Sequence, residues 1–464
     1  MVQTTKVDIF ENYSIPKAFI ALAVPTIISQ IIGIIYNYAD AFFLGKTNNA
    51  DAVAAISVAM PVFIIMVALA NLFGIGGSSL IARYLGRKEN KKAKGVFAFS
   101  IWGAILISIS YSLILLIFHK PLIYLVGGSD VTYKYIYDYM VITMIIGSVP
   151  TILNNVFGHL VRSVGASTQA SIGMASGAIL NIILDPIFMF VILPPGNEVI
   201  GAALATLIGN IVAVIYFIIY IYKSKHEVFS LSPKDVTFKH GIPKEVLFIG
   251  FPAALSTTLA MVSNIVANRL IPIGLSKELQ SPAIAGLGIA KKINTLAFNI
   301  CMGITQGMLP FIAYNYASKD VKRMNKGIVF MFATAIGFSL VAITLFFIFT
   351  KGFVSFFIKE EKSVYYGIEY LKIIAVAVPL CSICFSANTV FQAAGKKLYS
   401  FILSILRKGV LDIPFMFFLK NKIGELGVLW ATPIAEVLSV FVAVTFLIFF
   451  IKGMNKKIKY EYDY

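Results

Sequence analysis

Four acids stand inside long apolar runs of this chain: Asp40, Asp185, Asp412 and Glu436. A charge at the centre of a bilayer costs about 2.5–3.5 kcal/mol on insertion scales, so an acid kept there marks an ion path or a tie between helices. Asp185 has the richest setting. In "GAILNIILDPIFMFVIL" (177–193), Asn181 precedes it by one helical turn and Pro186 follows at once. Positions i and i+4 share a helix face, so amide and carboxylate oxygens point the same way. Pro186 frees the carbonyl of Ile182 from its helical bond, which leaves a further oxygen in that turn to solvate an ion or a water; the other reading is a plain kink. Tyr36 and Asn37 share the face of Asp40. Oxygens of this kind suit H+ or Na+. Phosphate-loop, zinc-protease and serine-hydrolase signatures are missing, and the four histidines fall at span ends or in loops. No enzymatic chemistry, cofactor or metal is expected, and an ion gradient remains as driving force.

The elements that must hold these acids follow from composition. The chain is 58% hydrophobic and only 13% charged, with a mean hydropathy of +0.85, whereas soluble domains carry about 25% charged residues. An all-α polytopic membrane protein is expected. Twelve apolar runs are long enough to cross a bilayer: 17–45, 52–82, 95–118, 133–157, 168–193, 198–222, 243–271, 282–316, 328–350, 363–392, 400–419 and 425–451. With the first loop outside, 24 of the 39 Lys and Arg fall in inner loops and tails, which predicts both termini in the cytoplasm. The net charge of +17 therefore reflects membrane orientation and not nucleic acid. Cys301, Cys381 and Cys384 lie in apolar runs and suggest no disulfide framework.

The halves repeat. "ALAVPTIIS" (21–29) matches "FIGFPAALS" (248–256), "DPIFMF" (185–190) resembles "IPFMFF" (413–418), and "GAALAT" (201–206) resembles "GVLWAT" (427–432). Each half has an even number of spans, which predicts two parallel six-helix lobes related by a pseudo-twofold along the membrane normal. The expected division is an N-terminal lobe (1–222), a cytoplasmic linker (223–242) and a C-terminal lobe (243–464). One chain then supplies both lobes, so a monomer suffices.

At 1.5 Å per residue, Asp40 lies about 8 Å below the outer surface, and Asp185 and Thr206 about 12 Å. One polar cluster of Asp40, Asn181, Asp185 and Thr206 is expected, unless Asp40 snorkels to the interface. In the second half, Asp412 sits one residue from the repeat position of Asp185, and Glu436 matches Asn210. Glu436 pairs with Thr432 at i, i+4. Asp412 and Glu436 form a possible second polar site. Lys291 and Lys292 either snorkel or neutralise an acid such as Glu436.

The "VP" near the start of span 1, "NYADAFFLG" ending it, "NIILDPI" in span 5 and "GAALAT" opening span 6 resemble the multidrug and toxic compound extrusion (MATE) transporters, and most of all their MepA-like bacterial branch. The resemblance implies cation-coupled antiport of organic cations or amphiphilic drugs across a bacterial plasma membrane. It places the first-lobe cation site on Asp40, Asn181, Asp185 and Thr206, and a drug cavity on Tyr36, Asn37, Asn154 and Asn155. Acids that a sodium-binding branch carries in spans 7 and 10 are missing here. Pro25 and Pro186 are hinge candidates. The alternatives are a related fold that flips lipid-linked precursors or exports polysaccharide, a channel, or an intramembrane enzyme.

Overall fold

Backbone amides inside a bilayer find no water, so long apolar runs must close their hydrogen bonds internally. The computed structural model describes residues 7–47 and 49–462, and among them every regular element is helical. Helices α1 (Ile15–Gly45), α2 (Ala50–Gly86) and α3 (Asn90–Leu125) come first. Next, α4 (Asp130–Met140) runs through a π-turn (Val141–Ile146) towards α5 (Ser148–Ser163). Helix α6 (Ser167–Ile187) ends in a second π-turn (Phe188–Ile192), and α7 (Glu198–Ser224) follows. The second half begins with α8 (Ile242–Leu270), α9 (Lys277–Ala317) and α10 (Val321–Ile348). After these come α11 (Glu361–Ala375), α12 (Ala377–Ala393) and α13 (Lys397–Ile405). A third π-turn (Leu406–Asp412), α14 (Ile413–Ile423) and α15 (Glu425–Tyr462) complete the chain.

Among the described residues, ten helices are long and apolar enough to cross a membrane, counting α11 with α12 as one. The pair α4 and α5, bent by 52°, makes an eleventh. The run expected over 400–419 is interrupted. Its third π-turn carries Arg407, Lys408 and Asp412 between helices of 9 and 11 residues. Large apolar side chains such as Ile117, Val191 and Phe441 are 68%, 78% and 67% exposed, the burden that lipid tails relieve.

The helices form two compact units. The first contains Ile28–Thr257 and the short helix Asp8–Glu11; the second contains Asn12–Ile27 and the chain from Thr258 on. Helices α1 and α8 therefore each give one end to each unit. Pro25 and Pro252 fall just ahead of the two changeover points.

The segment joining α7 to α8, expected as a linker, is docked on the first unit. Val228 is fully buried, and the Phe229 ring lies 5.1 Å from that of Phe97. Trp102 Nε1 donates to the Leu231 carbonyl at 3.2 Å. Asp235 accepts from the Ser230 hydroxyl and pairs with Lys94 at 2.9 Å. Those two partners, the hydroxyl first, hold its carboxyl below the usual range.

Two glycines bring α6 and α7 into backbone contact one turn from Asn181. A Cβ on Gly177 would lie 2.6 Å from the Gly209 carbonyl oxygen, and one on Gly209 would lie 2.6 Å from that of Gly177. Small residues allow this approach between membrane helices. It lets Asn181 on α6 reach Thr206 on α7. Replacing Gly177 by Val forces these helices apart. We expect a loss of about 1–3 kcal/mol, measured as a lower unfolding temperature of the purified chain, with coupled loss of any activity that needs the Asn181–Thr206 contact.

Candidate functional site

Helix α6 turns Asn181 and Asp185 to the interior of the first unit, as their i, i+4 spacing requires. Asp185 is fully buried, Asn181 is 2% exposed and Thr206 is 3% exposed. Asn181 Nδ2 donates to Thr206 Oγ1 at 3.2 Å. Asp40, half-buried on α1, adjoins Asp185, and Tyr36 stands beside Asp40, Asp185 and Thr206. The four residues expected as one cluster are thus brought together.

Their bonding is incomplete. Both carboxylate oxygens of Asp185, Oδ1 of Asp40 and Oδ1 of Asn181 are buried without a donor. Ionised carboxylates only accept, so neither acid can satisfy the other. A proton shared between them, or a metal cation held by the set, would supply what is missing. An unpaired buried charge is otherwise among the costliest defects a fold can hold.

A cavity of about 190 Å³ lies against this cluster. Its wall includes Tyr36, Asn37, Asn154, Asn155, Asn181 and Thr206. The two acids do not line it; Tyr36, Asn181 and Thr206 form the shared border. Asn154 Nδ2 donates to Asn210 Oδ1 at 2.9 Å, and Asn210 Nδ2 donates to the Thr206 carbonyl at 3.0 Å. Asn155 and Asn37 instead return their amides to the Thr151 and Gly33 carbonyls of their own helices. Asn154 Oδ1 is left without a donor.

Sequence reasoning missed Tyr139 and Asn210. Tyr139 stands beside both acids. Its position about 9 Å into the fourth span put it in the depth band of Asp40, but an aromatic residue in a tyrosine-rich stretch gives no chemical signal of its own. Asn210 was noted only as the counterpart of Glu436. Pro186 stays inside α6, with the second π-turn starting two residues later. Pro25 lies inside the continuous helix α1.

The second-half acids behave differently. Arg407 Nε and Nη2 hold Glu436 in a fork, both bonds at 2.9 Å. Arg407 and Glu436 are 3% and 0% exposed. Asp412, fully buried, accepts from Ser263 at 2.6 Å and Thr432 at 2.8 Å, with Lys408 Nζ at 3.2 Å. Thr432 therefore serves Asp412 and not Glu436. Lys291 bonds Asn268 Oδ1 at 3.1 Å and does not neutralise Glu436; the guanidinium of Arg407 does. A π-turn admits one extra residue into a helix. Here it precedes Pro414, which explains why Asp412 is buried although it stands one residue out of repeat register. Among the described residues no group of three or more His, Cys, Asp and Glu side chains is placed to hold a metal ion, so any metal cation at the first-half acids would also need amide and hydroxyl oxygens.

Such a helical membrane bundle, with an amide-lined cavity and adjoining acids inside its first unit, is the build of a transporter. The MatE family model matches residues 25–187 and 250–418, and the chain belongs to the MATE family. A protein named multidrug export protein MepA from Staphylococcus haemolyticus is 32% identical over 435 residues, which cover 94% of this chain and 93% of that one. The Staphylococcus aureus (strain MRSA252) protein of the same name is 31% identical, with 94% of each chain covered. In fold, the chain matches an outward-facing MATE transporter of the MOP superfamily with a TM-score of 0.90 at 22% identity, covering 98% of this chain and 100% of that one. A MOP-superfamily transporter from Pyrococcus furiosus, described as having a binding pocket of reversed polarity, gives 0.87 at 22% identity, with coverages of 98% and 100%.

The fork between Arg407 and Glu436 makes a measurable demand on stability. Arg407→Met strips the fully buried Glu436 of its guanidinium, with Lys408 at 3.9 Å as its remaining cation. A loss of about 3 kcal/mol is expected. The double variant Arg407→Met with Glu436→Leu removes both charges and recovers most of that loss, as read by thermal unfolding of both purified proteins.

Proposed function

We propose that the protein is a multidrug exporter of a bacterial plasma membrane, with both termini cytoplasmic, and that it exchanges H+ or Na+ for organic cations by alternating access. The observation that carries this reading is the adjoining pair Asp40 and Asp185, three of whose oxygens are buried without a donor, beside an amide-lined cavity. The names of the staphylococcal relatives support the export of drugs. Adjoining carboxylates repel in a low-dielectric site, so a single cation between them is strongly favoured. A proton serves by converting one acid into a donor to the other. Na+ would be served by the oxygens of Asp40, Asp185, Asn181 and Thr206. With one cation bound, the pair carries one negative charge instead of two and holds a positive substrate less strongly. With the cation gone, the full negative charge returns, and the ring of Tyr36 adds cation–π attraction. One site thus serves two cations in turn, and that competition is the coupling. Helix α1, bending near Pro25, would carry Asp40 between the two states. Binding is to small molecules and the bilayer, and one chain suffices.

The test is export of a cationic dye from proteoliposomes with H+ and Na+ gradients imposed separately. One of the two gradients is expected to drive export. Asp185→Asn and Asp40→Asn should each reduce gradient-driven export at least about tenfold, the scale set by losing a charge-assisted contact. Export at the unmodified rate by both variants would rule the scheme out.

A further inference from the structure

The second unit holds a cavity of about 370 Å³, within the range of drug-binding pockets. Its charge is opposite to that of the first-unit site. Lys291, Arg407 and Lys408 line it, and the acids beside them are Asp412 and Glu436. Three cations against two acids leave one positive charge over. The geometry locates that charge. Arg407 commits its fork to Glu436, and Lys408 lies 3.2 Å from Asp412 and 3.9 Å from Glu436. Lys291 has a single side-chain partner among the described residues, Asn268 Oδ1 at 3.1 Å, although an ammonium can donate three bonds.

A second observation points to the same place. Asn294, one turn from Lys291 on α9, also lines the cavity, is only 5% exposed, and has a buried Oδ1 without a donor. A half-turn of its amide presents the NH2 group to an anion instead. The nearby wall is aromatic. Phe298 and Phe385 meet edge to face with centroids 6.3 Å apart, and Arg407 covers the Phe385 ring at 4.6 Å.

We propose that this cavity binds an organic monocarboxylate carried on an aromatic ring, with the carboxylate on Lys291 and Asn294 and the ring against Phe298 and Phe385. A monoanion matches the one unneutralised charge. A cation meets a net positive wall, and a dianion exceeds what Lys291 can balance. The site adds aromatic acids to the compounds the exporter accepts, so its role in transport rests on the exporter reading, while binding does not.

The full chain, purified in detergent, is titrated with tritiated 1-naphthoate and with its neutral relative 1-naphthylmethanol. Naphthoate is expected to bind at least about tenfold more tightly than the alcohol, the size of one charge-assisted contact. Lys291→Gln removes that advantage, and Lys291→Arg keeps it. Asn294→Leu reduces it and serves as the second probe if Lys291→Gln does not fold. Equal affinity of the unmodified chain for acid and alcohol overturns the proposal, as does an undiminished preference in Lys291→Gln or, where that variant does not fold, in Asn294→Leu. No gradient is applied, so an exporter reading that failed in proteoliposomes would leave this result standing, and the reverse also holds.

Discussion

A buried carboxylate needs a donor, and a fold that withholds one has left a place for something else. Asp185 is fully buried with both oxygens unmet, and Asp40 adjoins it with one more. Asp412 and Glu436, equally buried, show what the same chain does when an acid is meant to stay put: a guanidinium fork, an ammonium and two hydroxyls close on them. The contrast is internal to one molecule. It supports the cation site proposed at Asp185, because side chains of the same chain close on the equally buried acids of its other half.

The scaffold serves that site through backbone devices. Reciprocal contact between Gly177 and Gly209 sets the distance at which Asn181 meets Thr206. Helix α1 carries Asp40 and Tyr36 in its later part, while its opening residues belong to the other unit. A bend in α1 would therefore move the half of the pair that is less deeply held. Asp185 sits between Asn181 and Pro186 on a helix packed closely against α7, and in the proposed scheme it is the member that stays in place.

The polar cluster was legible in the sequence because two regularities suffice for it. Depth follows from counting residues into a span, and helix face follows from a spacing of four. Both rules placed Asp40, Asn181, Asp185 and Thr206 correctly with respect to one another. The rules fail where a helix gains a residue. The π-turn at Leu406–Asp412 rotates everything after it by about one residue, roughly 100°. Arg407 and Asp412, both inside that turn, are buried together at a spacing of five, which α-helical periodicity does not anticipate. Partner choice was also out of reach. Glu436 had Thr432 on its own helix and Lys291 on another as plausible neighbours, and the structure gives it Arg407 instead. Tyr139 and the charge left on Lys291 were missed for the same reason: each matters only through what stands beside it.

The central claim is that one cation and one positive substrate compete for the pair Asp40 and Asp185. The most direct measurement adds a cationic dye to the purified chain in weakly buffered detergent, equilibrated with 22Na+, and follows pH and bound 22Na+ together. The account predicts that dye binding releases one of the two ions, close to one per chain at saturation, and that Asp185→Asn abolishes the release. Dye binding that displaces neither ion, in a protein shown to bind the dye, would contradict it.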